Sequence, residues 1–74
     1  MTTDEVRTKL LDKFPDAKIA VTDLTGGGDH FRAEIAAKEF AGKSVVEQHR
    51  MVYAALGTLM AGPIHALQLV TRSP

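Results

Sequence analysis

The residues of this sequence that are best suited to bind a metal or to do chemistry are its three histidines, since the chain has no cysteine. His30 follows a triple-glycine segment, and His65 precedes an apolar run near the C-terminus, so both fall where loops meet predicted strands, a common place for ligands. Two imidazoles can cap one iron of a [2Fe–2S] cluster in place of two thiolates. Because the chain has no thiol, it would share such a cluster only with a partner that supplies thiolates.

The setting of His65 allows two interpretations. Alternation along the predicted strand groups it with Leu67 and Leu69, which predicts a buried side chain. Gly62 and Pro63 come just before it, however, and a turn there would rotate the start of the strand and expose the imidazole. A ligand role requires the second arrangement.

The remaining chemical signals favour structural roles. His49 lies in the apolar stripe of a predicted helix, one turn from Val45 and Val52, where a histidine is more often a packing residue than a ligand. The Gly26–Gly28 segment is typical of a turn with positive φ, and it leaves room for a partner beside His30. No Ser–His–Asp or Cys–His arrangement stands out, so we expect that the chain is not an enzyme.

Length and charge narrow the class of protein. The chain has 74 residues, with nine Lys and Arg against nine Asp and Glu, which predicts one domain, 1–74, without the basic excess of a dedicated nucleic-acid binder. No stretch reaches the roughly 20 apolar residues of a membrane span. We therefore expect a protein of the cytoplasm or an organelle matrix, without membrane contact. For the free chain we expect a monomer, with a homodimer as the alternative.

The first half of the chain reads as a helix followed by a hairpin. Thr2 and Glu5 match a capping box, and the helix is expected to run to about Phe14. Two alternating segments, Lys18–Leu24 and His30–Ala36, flank the glycine-rich turn and predict a β-hairpin. The alternation places His30 on the solvent face of the second strand, at the mouth of the loop.

The second half predicts a long helix and a last strand. One helical turn is expected between Lys38 and Lys43, and a capping box at Ser44 then opens a helix that Gly62-Pro63 ends. Ile64–Val70 is nearly continuous in apolar residues, which is typical of an interior strand. The order predicts an α+β two-layer sandwich, with helices on one face of a three-stranded mixed sheet. The helix stripe is expected to comprise Val45, His49, Val52, Leu56 and Leu59, widened by Val46, Tyr53 and Met60.

Three linked motifs resemble the BolA family. Phe40–Gly42 matches its F-x-G turn, and His49–Leu56 matches its H-R-x-V-x-x-x-L helix. Ile64–Leu67 matches its [VI]-H-A-[LF] strand, and Asp29–Phe31 is similar to its S-H-F segment. Together these motifs cover nearly the whole chain in the family's order.

The resemblance implies a type II KH-like fold and a function. BolA-like proteins pair with monothiol glutaredoxins and share a bridging [2Fe–2S] cluster, for cluster trafficking or for iron and redox regulation. The glutaredoxin and its glutathione supply thiolates, and the BolA-like partner supplies the His that corresponds to His65, often with a Cys or His from the first hairpin loop. Thr25–Asp29 contains neither residue, so His30 is the nearest candidate for the second ligand. His49 matches the helix motif, where it is not a cluster ligand.

Two other functions stay open from the sequence. The KH-like topology is compatible with a regulator of transcription that binds DNA or RNA, whose contacts would come from Lys38, Lys43 and Arg50. Such binding would be weak and strongly salt-dependent. The third possibility is a module that binds its partner without any metal.

Overall fold

The computed structural model describes all residues, Met1–Pro74, as a three-stranded sheet with two α-helices packed on one face. The strand order is β1-β2-β3, with β1 and β2 antiparallel and β2 and β3 parallel. The predicted α+β architecture with a mixed sheet is confirmed. The elements are α1 (Thr3–Lys13), β1 (Lys18–Asp23), β2 (His30–Ala36), a 3-10 helix (Lys38–Phe40), α2 (Val45–Leu56), a second 3-10 helix (Gly57–Ala61) and β3 (Ala66–Arg72).

Both helices begin at the predicted capping boxes. The Thr2 hydroxyl accepts a hydrogen bond from the Glu5 amide at 3.1 Å, and the Glu5 carboxylate accepts one from the Thr2 amide at 3.1 Å. Ser44 and Glu47 form the same reciprocal pair at the start of α2. These bonds satisfy amides that the first helical turn leaves without partners.

The hydrophobic core lies between the helices and the inner face of the sheet. Strand β2 runs through the middle of the sheet, and its side chains alternate between buried and accessible positions from His30 to Ile35, while Ala36 at its end is also buried. The opposite face of the sheet carries no further layer, so most of its side chains, including Val70, are exposed to solvent. The largest fully buried side chains are Val6, Leu10, Phe31, Ile35, Phe40, Val52 and Leu56.

Helix α2 differs from the prediction in its length and in its buried face. It ends at Leu56, because Gly57 adopts a positive φ of 56°, which is incompatible with a right-handed α-helix. The α-helix therefore stops before Gly62-Pro63, where the sequence predicted its end. Val45 and Val46 are 61% and 59% exposed, so the predicted apolar stripe is wrong at the N-terminal end of the helix. Tyr53 is also exposed, at 43%. The side chain that fills this end of the interface is polar, namely Gln48.

Strand β3 also differs from the prediction. It begins at Ala66 rather than Ile64 and continues to Arg72, and it occupies an edge of the sheet, not the interior. Its side chains alternate between half-buried and exposed, because helices cover only one face. No helix in the structure is both long and apolar enough to span a membrane.

Candidate metal centre

The two histidines that flank strands lie at one end of the sheet. His30 is the first residue of β2, and His65 immediately precedes β3. Because β2 and β3 are parallel, their first residues lie at the same end, and His30 stands opposite Ala66 in the register. The parallel pairing therefore brings together two side chains that are distant in the sequence.

The two imidazole rings lie side by side. Their centroids are 6.1 Å apart and their planes are inclined by 19°. The side chain of His30 is 41% exposed, and His65 is exposed as well. Both rings are thus accessible to a second molecule from the same side of the protein.

The exposure of His65 resolves the two interpretations that its sequence setting allowed. Ile64 is buried and its amide donates to the Leu59 carbonyl at 2.9 Å, which fixes the chain before the strand. The amides of His65 and Ala66 then both donate to the Asp29 carbonyl oxygen, at 2.8 and 3.3 Å. Since two successive amides share one acceptor, the strand alternation does not extend back to His65. The exposed arrangement is therefore the correct one of the two interpretations.

Asp29 contacts the ring of His30 directly. Its Oδ1 lies 2.9 Å from His30 Nδ1, and the Thr25 hydroxyl donates to the same oxygen at 3.3 Å. The hydrogen bond from His30 is the main cause that holds the pKa of the Asp29 carboxyl below its ordinary value. Desolvation partly opposes this lowering, and the hydrogen bond from Thr25 adds to it.

The glycine-rich turn is organised around a second carboxylate, that of Asp23. Its Oδ1 accepts from the amides of Thr25 and Gly26 at 3.2 and 2.9 Å, and its Oδ2 accepts from the Gly28 amide at 3.0 Å. The turn amides thus surround an anion that belongs to the chain itself.

The glycines of the turn are needed for its backbone and for a close contact. Gly26 and Gly28 have φ of 77° and 75°, and a Cβ on Gly28 would lie 2.5 Å from the Met1 carbonyl oxygen. Part of the space that the glycines leave is therefore filled by the N-terminus.

Both aspartates were missed as site residues by sequence reasoning. Asp23 precedes the turn, where an aspartate often accepts hydrogen bonds from amides two or three residues on, so its position was a usable signal. The contact of Asp29 with the His65 segment has no counterpart in local sequence, because it depends on the pairing of β2 with β3.

The other sequence-predicted residues lie outside this pair. His49 is half-buried on α2. Lys38 is bound to the Asp16 carboxylate at 3.0 Å, which raises the pKa of its ammonium group. Lys43 and Arg50 are exposed, one just before α2 and the other on it.

The chain alone offers too few ligands for a complete metal site. No group of three or more His, Cys, Asp or Glu side chains is arranged to hold a metal ion. His30 and His65 can supply two nitrogen ligands, so any metal bound between them needs further ligands from outside the chain.

Comparison with known proteins gives consistent matches. The profile of a family described as BolA-like protein matches residues 12–74. Uncharacterized protein RP812 of Rickettsia prowazekii is 34% identical over 95% of this chain and 91% of its own length. BolA-like protein 1 of Bos taurus is 34% identical over 93% of this chain but only 56% of its own length. The structure of a bolA protein homologue from Coxiella burnetii superposes with a TM-score of 0.86 at 31% identity, covering 100% of this chain and 92% of that one.

Proposed function

The chain belongs to the BolA-like family, and on that premise we propose that it binds a monothiol glutaredoxin and ligates a bridging [2Fe–2S] cluster jointly with it. In this proposal His65 and His30 are the ligands from this chain. The glutaredoxin cysteine and its bound glutathione supply the thiolates. The heterodimer serves iron–sulfur cluster trafficking or iron and redox regulation, and the chain itself catalyses no reaction.

The observation that carries the proposal is the stacked pair of exposed imidazoles at 6.1 Å. Clusters in which two histidines replace two cysteines on one iron are an established type. Two nitrogen ligands from this chain and two thiolates from the partner complete that set.

Imidazole ligands suit a site that releases its cargo. Neutral nitrogen in place of thiolate removes negative charge from the cluster and raises its reduction potential. A histidine ligand must also be deprotonated to bind, so acid competes with ligation near neutral pH. The exposure of both rings permits a partner to approach and to leave without unfolding the chain.

Titration of this chain into cluster-loaded monothiol glutaredoxin tests the proposal. We expect new visible absorption and circular dichroism spectra that saturate at one-to-one and that His65→Ala abolishes. His49→Ala is the matched control, since it removes an imidazole outside the pair. If His65→Ala leaves the spectrum and the cluster lifetime unchanged, the ligand assignment is wrong. A complex that survives both His65→Ala and chelation would indicate binding without a metal.

A further inference from the structure

We propose that Asp29 is a positioning residue that fixes the neutral His30 ring with its hydrogen on Nδ1 and so presents Nε2 as the ligating atom. The inference deepens the proposed function and rests on it for the role of His30. It concerns which nitrogen binds and what holds it, neither of which follows from the identity of the ligand.

The chemistry of the two groups fixes the direction of the hydrogen bond between Asp29 and His30. An ionised carboxylate has no hydrogen to donate, so the contact of 2.9 Å between Asp29 Oδ1 and His30 Nδ1 requires the hydrogen on the ring nitrogen. A neutral imidazole carries only one such hydrogen. Nε2 is then bare, with its lone pair available to a metal.

Asp29 is itself held in place by contacts of its side chain and of its backbone. The Thr25 hydroxyl donates to the oxygen that faces His30, at 3.3 Å. The Asp29 carbonyl accepts from the amides of His65 and Ala66. One residue therefore contacts the His30 ring through its side chain and the His65 segment through its backbone, which links the two halves of the pair.

The two imidazoles of the pair differ in their hydrogen-bond partners. The ring of His65 makes no side-chain hydrogen bond, whereas the ring of His30 has a carboxylate partner. Carboxylates that accept the second ring hydrogen of a metal-bound histidine orient the ring and increase its basicity, and their removal typically lowers metal affinity about 10–100-fold. Asp29 stands where such a group belongs, and His65 provides an internal reference without one.

The tautomer can be measured in the free protein by long-range ¹H–¹⁵N NMR of the imidazoles, at a pH about two units above the usual histidine pKa of about 6.5. We expect the Nδ1–H form to dominate at His30. In Asp29→Asn its ratio to the Nε2–H form should fall roughly fivefold, because a carboxylate hydrogen bond is about twice as strong as a neutral one. Glu34→Gln is the matched control. Glu34 lies on β2, the strand that begins at His30, and its carboxylate pairs with Arg32 and not with His30. A dominant Nε2–H form at His30, or an unchanged ratio in Asp29→Asn, would overturn the inference.

A second measurement separates this inference from the proposed function. In the cluster-bearing heterodimer, Asp29→Asn should speed cluster release about tenfold, with Glu34→Gln unchanged. If the free protein shows the expected tautomers but wild-type protein forms no cluster-bearing complex, the proposed function fails while the placement of the hydrogen by Asp29 stands. If the complex forms and Asp29→Asn alters neither the tautomer nor the release rate, the function stands and Asp29 is not a positioning residue.

Discussion

Replacement of Gln48 by methionine should destabilise the fold, because Gln48 joins three segments through one buried amide. Its Nε2 donates to the carbonyls of Phe40 and Lys43 at 3.3 and 3.0 Å, and its Oε1 accepts from the Thr71 hydroxyl at 2.7 Å. Gln48 is 8% exposed, so water does not readily replace these bonds. The amide therefore holds the C-terminal part of β3, the strand that follows His65, against α2.

The expected cost follows from counting those bonds. A hydrogen bond of this kind contributes about 0.5–1.5 kcal/mol net, or roughly 3 kcal/mol for three. The Phe40 carbonyl keeps a second donor, the Lys43 amide at 3.0 Å, and the half-buried Thr71 hydroxyl can reach water, which lowers the expected loss to about 2 kcal/mol. Methionine has a similar volume, so no large cavity adds to the cost.

Urea and thermal unfolding followed by far-ultraviolet circular dichroism measure this loss. For a domain of this size, about 2 kcal/mol corresponds to a decrease in Tm of roughly 10 °C. Gln68→Met is the control, since Gln68 is exposed on the outer face of β3 and should change the free energy of unfolding by less than about 0.5 kcal/mol. If Gln48→Met is as stable as wild type, the hydrogen bonds do not carry the assigned energy.

Two further predictions concern charged groups. His30→Ala should raise the pKa of Asp29 toward its ordinary value of 3.8, because the hydrogen bond from His30 is the main cause of its lowering. Because the pKa of Asp29 is lower in the folded state, the contact stabilises the fold above pH 3.8, and this stabilisation is lost as the pH falls through the lowered pKa. NMR titration of the Asp29 carboxyl measures the pKa in wild type and in His30→Ala. An unchanged Asp29 pKa in His30→Ala would contradict the assigned contact. Lys43→Ala combined with Arg50→Ala should leave the heterodimer spectrum unchanged while His65→Ala removes it. The nucleic-acid alternative predicts instead that the double variant loses salt-dependent DNA binding, measurable by fluorescence anisotropy.

Those parts of the fold that depend on residues close together in the sequence could be predicted from the sequence. The capping boxes at Thr2 and Ser44 start the two helices, and the alternation of His30–Ala36 matches β2 residue for residue. Each of these signals acts within a few residues, so the rest of the fold does not alter it. The profile match over residues 12–74 agrees with the family that the motifs indicated.

The errors arose where the outcome depends on distant surfaces. Val45 and Val46 have the spacing of a buried stripe, yet neither the sheet nor α1 covers them. Gln48 takes the buried position because three polar groups from other segments meet there, and hydropathy alone gives a glutamine no reason to be buried. Periodicity identifies the apolar side of a helix but does not show how far the opposing layer extends along it.

The geometry of the histidine pair depends on the register of β3, and the structure fixes that register at both ends. A shift by one residue would exchange the inner and outer side chains of the strand. At the start of the strand, the Asp29 carbonyl accepts the amides of both His65 and Ala66. Near its end, the Thr71 hydroxyl donates to Gln48 on α2. His65 therefore stands beside His30 because of bonds between segments far apart in sequence. The periodicity around either histidine does not predict this, and only the family resemblance implied that the two rings act together.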